Sequence, residues 1–321
     1  MTVLNVLVTG ATGFVGGALL EHLSKCGHRV RAAVRGRAAQ LPAAASIAHV
    51  GELAPTTDWS AALDGMDVVV HCAARVHVLK ESAADPLAAF RFVNVAATLH
   101  LARQAVAAGV KRFVFISSIG VNGAETHGRP YTVSDPARPH SPYAVSKHEA
   151  ELELQALAAS SGLEVVIIRP PLVFGPNAPG NFQRLMQALH RGIPMPLGAI
   201  HNRRSLVALE NLVDLIETCA RHPAAAQQTF LVSDGEDVST TALLRRVAAA
   251  LGRPPRLLPV PGGLLRAVAQ VLGKADFAQR LCGSLQVDIA HTQALLGWKP
   301  VVTLDEALAR TARHFLTQAE R

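Results

Sequence analysis

A tyrosine and a lysine stand four residues apart in Tyr143-Ala144-Val145-Ser146-Lys147. On a helix this spacing puts both side chains on one face, about one turn apart. A phenol with an ordinary pKa of ~10 keeps its proton at neutrality. An ammonium held close favours the phenolate, so the pair could move a proton at working pH. The spacing by itself also describes a surface tyrosine beside a solvated lysine. Weight comes from Ser117-Ser118, which end a short apolar run at 113–116 that reads as a strand. Open parallel sheets hold their ligands at the C-terminal ends of strands, so a serine there can face a reacting group.

The elements that would bring a substrate to these residues begin at the N-terminus. A β-branched apolar run, 3–8, is followed by Thr9-Gly10-Ala11-Thr12-Gly13-Phe14-Val15-Gly16 and a helical stretch, 18–24. Strand, glycine turn and helix in that order form the context of a phosphate-binding loop. Gly10 permits the tight turn, Gly13 the approach of a pyrophosphate, and Gly16 close packing of helix on strand. Thr12, Phe14 and Val15 share the turn, whose amides would face the anion. A second strand, 29–34, ends in Ala33-Val34-Arg35-Gly36-Arg37 without the acid that binds the ribose hydroxyls of NAD. Arg35 or Arg37 could pair with the 2′-phosphate of NADP(H), which is favoured modestly over NAD. Alternatively, Arg35 only stacks on the adenine.

A third strand, 48–50, runs into Gly51-Glu52-Leu53, where Glu52 could accept from the adenine amino group. A fourth, 67–70, leads to His71-Cys72-Ala73-Ala74, whose small Ala73 and Ala74 let the backbone run beside a cofactor. Residues 86–108 read as one long helix containing Asn94, and 165–169 as a sixth strand before Pro170-Pro171-Leu172-Val173. Ser141-Pro142 suits the start of the helix that carries Tyr143.

Together the glycine turn, Ala73-Ala74, Ser117-Ser118 and Tyr143 to Lys147 resemble the extended short-chain dehydrogenases/reductases. Within them the chain resembles the NAD-dependent epimerase/dehydratase family, over essentially its whole length. The resemblance implies a Rossmann-type, doubly wound parallel α/β sheet with a smaller, mostly C-terminal α/β lobe. Residues 1–170 would bind NAD(P) and 171–321 the substrate, with part of the latter, about 205–235, returning to the first unit. Tyr143 would be the acid/base. Lys147 would lower its pKa and hold the nicotinamide ribose. Ser118, preferred to Ser117 on spacing, would bond the reacting oxygen, with Asn94 as structural support. Pro170 and Val173 would pass beside the nicotinamide. Asn181 and Arg204 would contact a nucleotide diphosphate, although Asn181 is equally a helix cap and Arg204 could be a surface charge. The helices around Asn94 and Tyr143 would form a homodimer bundle.

One departure bears on the reaction. Sugar 4,6-dehydratases place Asp-Glu after the active-site serine or threonine, whereas Ile119 and Gly120 stand here. Neither does acid–base work, so elimination of water is disfavoured and hydride transfer at a sugar carbon remains. UDP-hexose 4-epimerases and NADPH-dependent reductases of 4-keto UDP-sugars share this pattern. A reductase of a non-sugar ketone and a non-catalytic NADP-sensing protein are further readings. The retained tyrosine and lysine count against the last of these.

Composition narrows the remaining classes. The chain has 321 residues, half of them hydrophobic, and a formal charge of +7. That is enough chain for a large core, with no disorder signature. No run of basic residues interleaves with aromatics, so a nucleic-acid partner is not expected. Cys26, Cys72, Cys219 and Cys282 are scattered, which argues against disulfides and a metal site and suits the cytoplasm. No apolar run is long enough to span a bilayer. The stretch 261–272 is apolar on several sides and is expected to pack on the substrate lobe rather than touch a membrane surface. His77 lies where a substrate loop should be, with no role assigned to it.

Overall fold

The computed structural model describes residues 2–36, 41–76, 85–273 and 275–319. Arg37 and His77 lie outside them. In chain order the strands are β1 (Asn5–Thr9), β2 (Arg29–Val34), β3 (Ser46–His49), β4 (Val68–His71), β5 (Arg112–Ile116), β6 (Glu164–Arg169), β7 (Leu172–Phe174), β8 (Arg204–Ala208), β9 (Thr229–Leu231) and β10 (Asp237–Val238). The helices are α1 (Phe14–Lys25), α2 (Ser60–Leu63), α3 (Pro86–Arg91), α4 (Thr98–Ala107), α5 (Pro142–Ser161), α6 (Asn181–His190), α7 (Leu209–Arg221), α8 (Thr240–Ala250), α9 (Gly262–Val271), α10 (Ala275–Cys282), α11 (Ala290–Leu296) and α12 (Leu304–Ala319).

Seven strands form a parallel sheet in the order β3-β2-β1-β4-β5-β6-β9. The central strands are continuous apolar runs because helices cover both faces. Successive side chains alternate between those faces. Val6 and Val8 join Leu19, Leu23, Val213 and Ile216 on one side, while Leu7 joins Phe113, Phe115, Leu101 and Leu154 on the other. The order reverses between β1 and β4, and the crevice outside their C-terminal ends is where such sheets bind ligands.

Beyond β6 the chain leaves this sheet. β8 pairs with β7 in parallel and with β10 in antiparallel fashion, in a separate three-stranded sheet. A second core of Phe174, Met186, Leu206, Leu244 and Leu308 lies beneath it. The stretch between these sheets divides its allegiance: α7 packs in the first core and β9 pairs with β6, but β8 stays with the small sheet.

Two elements depart from the sequence reading. The expected single helix at 86–108 is broken by a π-helical segment, Phe92–Ala97, between α3 and α4. Such widened turns gather at functional sites, and this one contains Asn94. The expectation that 261–272 would be packed is only half met. Leu265 packs against the second core, but α9 has no fully buried residue. Leu264, Val268, Val271 and Leu272 are exposed, at helical spacing along one outward stripe. No described helix is long and apolar enough to cross a membrane.

Candidate active site

The glycine turn is built by contact with the end of β4. Gly10 adopts φ +67°, and a Cβ on it would meet the Ala73 amide nitrogen at 2.8 Å. A Cβ on Gly16 would fall 2.2 Å from the Gly10 carbonyl oxygen, so only glycine lets α1 start this close to β1. Gly13 is the N-cap of α1 and makes no side-chain cap bond. The first amides of α1 are therefore available to an anion, between Thr12 on the surface and half-buried Phe14 and Val15. This cradle, which side chains would fill, fits the pyrophosphate of a dinucleotide.

The strip Cys72 to Ala74 is held by a buried relay. The Ala73 amide donates to Thr9 Oγ1 at 3.2 Å. That hydroxyl bonds His71 Nδ1 at 2.7 Å, and His71 Nε2 bonds Thr98 Oγ1 at 3.0 Å. Burial, reinforced by the Lys147 charge, pushes His71 down to about 3, so it is a neutral brace. Sequence reasoning missed this role; the available signal was a histidine closing a fully apolar strand.

Tyr143 lies in the first turn of α5. Ser141 caps that helix by accepting from the Ala144 amide at 3.2 Å, and Pro142 follows at the first helical position. Asn94 pins the turn from the side. Its Nδ2 donates to Ser146 Oγ at 3.0 Å, and Ser146 Oγ donates to the Tyr143 carbonyl at 2.8 Å. The same Asn94 exchanges two bonds with the backbone of Arg75, at 2.8 and 3.1 Å. It thus ties the segment after Ala74 to the turn bearing Tyr143. The Tyr143 ring is half-buried and meets Phe90 edge-on, with centroids 6.1 Å apart.

Lys147 is buried. Its Nζ donates to the Ile116 carbonyl at 2.7 Å and lies 4.2 Å from the centroid of the Phe115 ring. Desolvation lowers its pKa to about 8, against the upward pull of Cys72 and Glu151. The expected acidification of Tyr143 is not present: burial pushes the phenol up to about 12. The reason is physical. The ammonium is anchored on the end of β5, and the desolvated phenol bears the cost of ionising in an apolar setting.

The layer beneath holds the two serines differently. Ser117 is buried and its hydroxyl donates to Glu151. Glu151 Oε1 also accepts from Arg169 Nε at 2.9 Å, and Arg169 Nη1 donates to Asn122 Oδ1 at 3.0 Å. Ser117 therefore belongs to an ionic brace joining β5, α5 and β6, a feature the sequence reading did not find. Ser118 is half-buried and its Oγ accepts from the Gly120 amide at 3.1 Å. A Cβ on Gly120 would lie 3.3 Å from Ser118 Oγ and 3.4 Å from the Ala144 Cβ, which sets Ser118 against the Tyr143 turn. Ile119 is in the core, and its amide donates to the Pro170 carbonyl at 3.0 Å. Pro170 is buried and Val173 half-buried beside this junction.

The outlying candidates are less concentrated. Arg35 and Glu52 are exposed at the ends of β2 and β3, and Leu53 is half-buried. Asn181 is exposed and opens α6, with Gly180 in the cap position, so the helix-cap alternative for Asn181 falls away. Arg204 is no free surface charge. Its Nη1 donates to the carbonyls of Arg280 and Gly283 at 2.9 and 3.1 Å, which anchors the end of α10. Among the described residues no cluster of three or more His, Cys, Asp or Glu could hold a metal ion.

A Rossmann sheet with a glycine cradle, a tyrosine and lysine on one helix and a serine at the end of β5 defines an extended short-chain dehydrogenase/reductase. The chain belongs to the NAD dependent epimerase/dehydratase family, whose model matches residues 6–233. It is 48% identical over 320 residues to a UDP-glucose 4-epimerase of Vibrio cholerae, covering 99% of this chain and 97% of that one. It is 27% identical to the N-acetyl-alpha-D-glucosaminyl-diphospho-ditrans,octacis-undecaprenol 4-epimerase of Escherichia coli O157:H7, covering 99% and 97%. The structure of UDP-N-acetylglucosamine 4-epimerase from Methanobrevibacter ruminantium M1 superposes with a TM-score of 0.80 at 24% identity, covering 99% and 100% of the two chains.

Proposed function

We propose that this chain is a cytoplasmic UDP-hexose 4-epimerase working through a bound nicotinamide dinucleotide. The observation that carries the reading is the 48% identity, across nearly the whole chain, to a UDP-glucose 4-epimerase. The dinucleotide, when bound, supplies a site that takes up the C4 hydride and returns it. Gly10, Gly13, Gly16 and the first amides of α1 hold its pyrophosphate, and Ala73 and Ala74 flank it. Tyr143 takes the proton of the C4 hydroxyl as the carbon is oxidised and gives it back on reduction. Ser118 donates to the same oxygen. Lys147, fixed on Ile116, supplies a positive charge beneath the site, which favours the phenolate once substrate and cofactor complete the polar surroundings. Ile119 and Gly120 offer no acid or base for elimination. Arg35, with no carboxylate beside it at the end of β2, supports acceptance of NADP(H) as well as NAD. Asn181 and Arg204 line the diphosphate side. Exposed Phe92 and Leu152, at 54% and 52%, support a homodimer through the helices that carry them.

The test is conversion of UDP-galactose to UDP-glucose by the purified protein, with identification of any nucleotide it retains. Turnover without net cofactor consumption supports the epimerase. Failure of that conversion, together with stoichiometric use of NADPH on a 4-keto UDP-sugar, would replace it with the reductase.

A second reading changes only what lies beyond the diphosphate. The same C4 chemistry on a sugar carried by a polyprenyl diphosphate, as in the Escherichia coli relative, is favoured by the bare apolar stripe of α9. Assaying both carriers separates the two.

A further inference from the structure

We propose that α9 is a membrane-surface contact, and that its partner is an anionic lipid leaflet. This goes beyond either substrate reading, because it concerns where the enzyme sits rather than what it converts. Helix α9 carries two apolar faces. Leu265 turns inward to the second core. Leu264, Val268, Val271 and Leu272 form the opposite stripe, with Leu264 57% and Val271 87% exposed. A stripe at i, i+4, i+7 and i+8 is the pattern of a helix lying along an apolar boundary. The segment 195–199 pairs with 257–261 just before α9, through bridges Met195 to Leu257 and Ala199 to Pro261. Ile193 and Leu258, on these approaches, are exposed as well.

Charge selects the occupant. Between residues 250 and 286 the sequence holds Arg253, Arg256, Arg266, Lys274 and Arg280 against one acid, Asp276. Arg253, Arg256 and Arg280 are exposed. The Arg256 guanidinium lies 4.0 Å from where a Cβ on Gly192 would stand, beside Ile193, so cation and apolar surface adjoin. Two copies meeting through such a face would bring like charges together. A leaflet of anionic headgroups over acyl chains matches both the basic residues and the stripe.

The position of α9 gives the contact a consequence. Arg266, also on α9, donates to the Cys282 carbonyl at 2.8 Å and lies 3.7 Å from Glu125. Glu125 is on the loop that leaves Ser118. A membrane at α9 would therefore lie next to the substrate side of the cleft.

The experiment is co-sedimentation of the full chain with vesicles of phosphatidylcholine, with and without phosphatidylglycerol. We expect the protein to pellet with the anionic vesicles about tenfold more than with neutral ones, and to be released by high salt. The double variant Leu264→Glu/Val271→Glu should stay in solution while keeping the wild-type melting temperature and UDP-galactose turnover. Arg253→Glu/Arg256→Glu should lose the preference for phosphatidylglycerol. The proposal is overturned if the wild type stays in solution with both vesicles, if it pellets equally with both, or if Leu264→Glu/Val271→Glu pellets like the wild type. It is also overturned if that variant instead reduces the mass of the particle in solution, which would give the stripe to a second copy. Pelleting and particle mass, the readouts that overturn the proposal, do not depend on which substrate is turned over.

Discussion

Lys147 Nζ is held 2.7 Å from the Ile116 carbonyl, so this ammonium is built into the end of β5 rather than left to move beside the phenol of Tyr143. Burial holds its pKa near 8 against an ordinary 10.5. Between those values the unfolded chain binds more protons than the folded one, so this group makes stability rise with pH. Below about pH 8 the ammonium is charged in both states and the full desolvation cost is present. Urea unfolding from pH 7.5 to 10.5 should show a gain of roughly 2–3 kcal/mol from this residue, absent in Lys147→Met. Parallel pH profiles in wild type and variant would contradict the buried cation.

Tyr143 should be protonated far above neutrality until substrate and cofactor are in place. The chain has only two tyrosines, so ultraviolet titration reads it directly. Tyr131 is also raised, chiefly by burial, and Tyr143 is pushed to about 12. No phenolate absorbance is expected below pH ~10 in nucleotide-free protein. Tyr143→Phe should lower kcat by about 10²- to 10⁴-fold while leaving nucleotide retention unchanged. Turnover at the wild-type rate in that variant would remove Tyr143 from the chemistry.

From inside a π-helical segment the Asn94 side chain makes three hydrogen bonds, two with the Arg75 backbone and one to Ser146, and Ser146 in turn donates to the Tyr143 carbonyl. Asn94→Ala leaves buried donors and acceptors unmatched, at about 1–3 kcal/mol. Thermal melting should register the loss, and kcat should fall with little change in KM. An unchanged kcat would make the residue structural only.

Glu151 and Arg169 form a buried ion pair that also holds Ser117. Removing one partner leaves a buried charge, so Glu151→Leu should destabilise by roughly 3–5 kcal/mol. Glu151→Leu/Arg169→Met should recover much of that loss. A double variant as unstable as the sum of the singles would show that packing, not charge, is what the pair provides.

Gly16→Ala should abolish nucleotide retention, since the added methyl would meet the Gly10 carbonyl at 2.2 Å. Equilibrium dialysis with NAD measures this, and retained affinity would show that the turn can open without cost.

The strands and the glycine turn were legible because both are local. Continuous apolar runs specify buried parallel strands, and three spaced glycines between a strand and a helix specify a tight phosphate loop. Helix 86–108 was legible as a helix, but its π-helical break was not. That break holds Asn94, whose partners Arg75 and Ser146 lie 19 and 52 positions away. Ser118 is preferred to Ser117 on spacing along the chain, whereas the Glu151–Arg169 brace that holds Ser117 joins residues far apart in sequence. Resemblance points to Arg204 as a diphosphate contact, but the carbonyls at 280 and 283 that hold its guanidinium in place were invisible in the sequence.

The sequence by itself determined the strands, the cradle and the tyrosine–lysine spacing, because periodicity and spacing act within a few residues of chain, and the fold class followed from the resemblance of those motifs to a family. Tertiary structure decided the protonation of Tyr143 and Lys147 and the bareness of α9. Desolvation and exposure depend on which distant side chains arrive to cover a group, and no spacing along the chain encodes that.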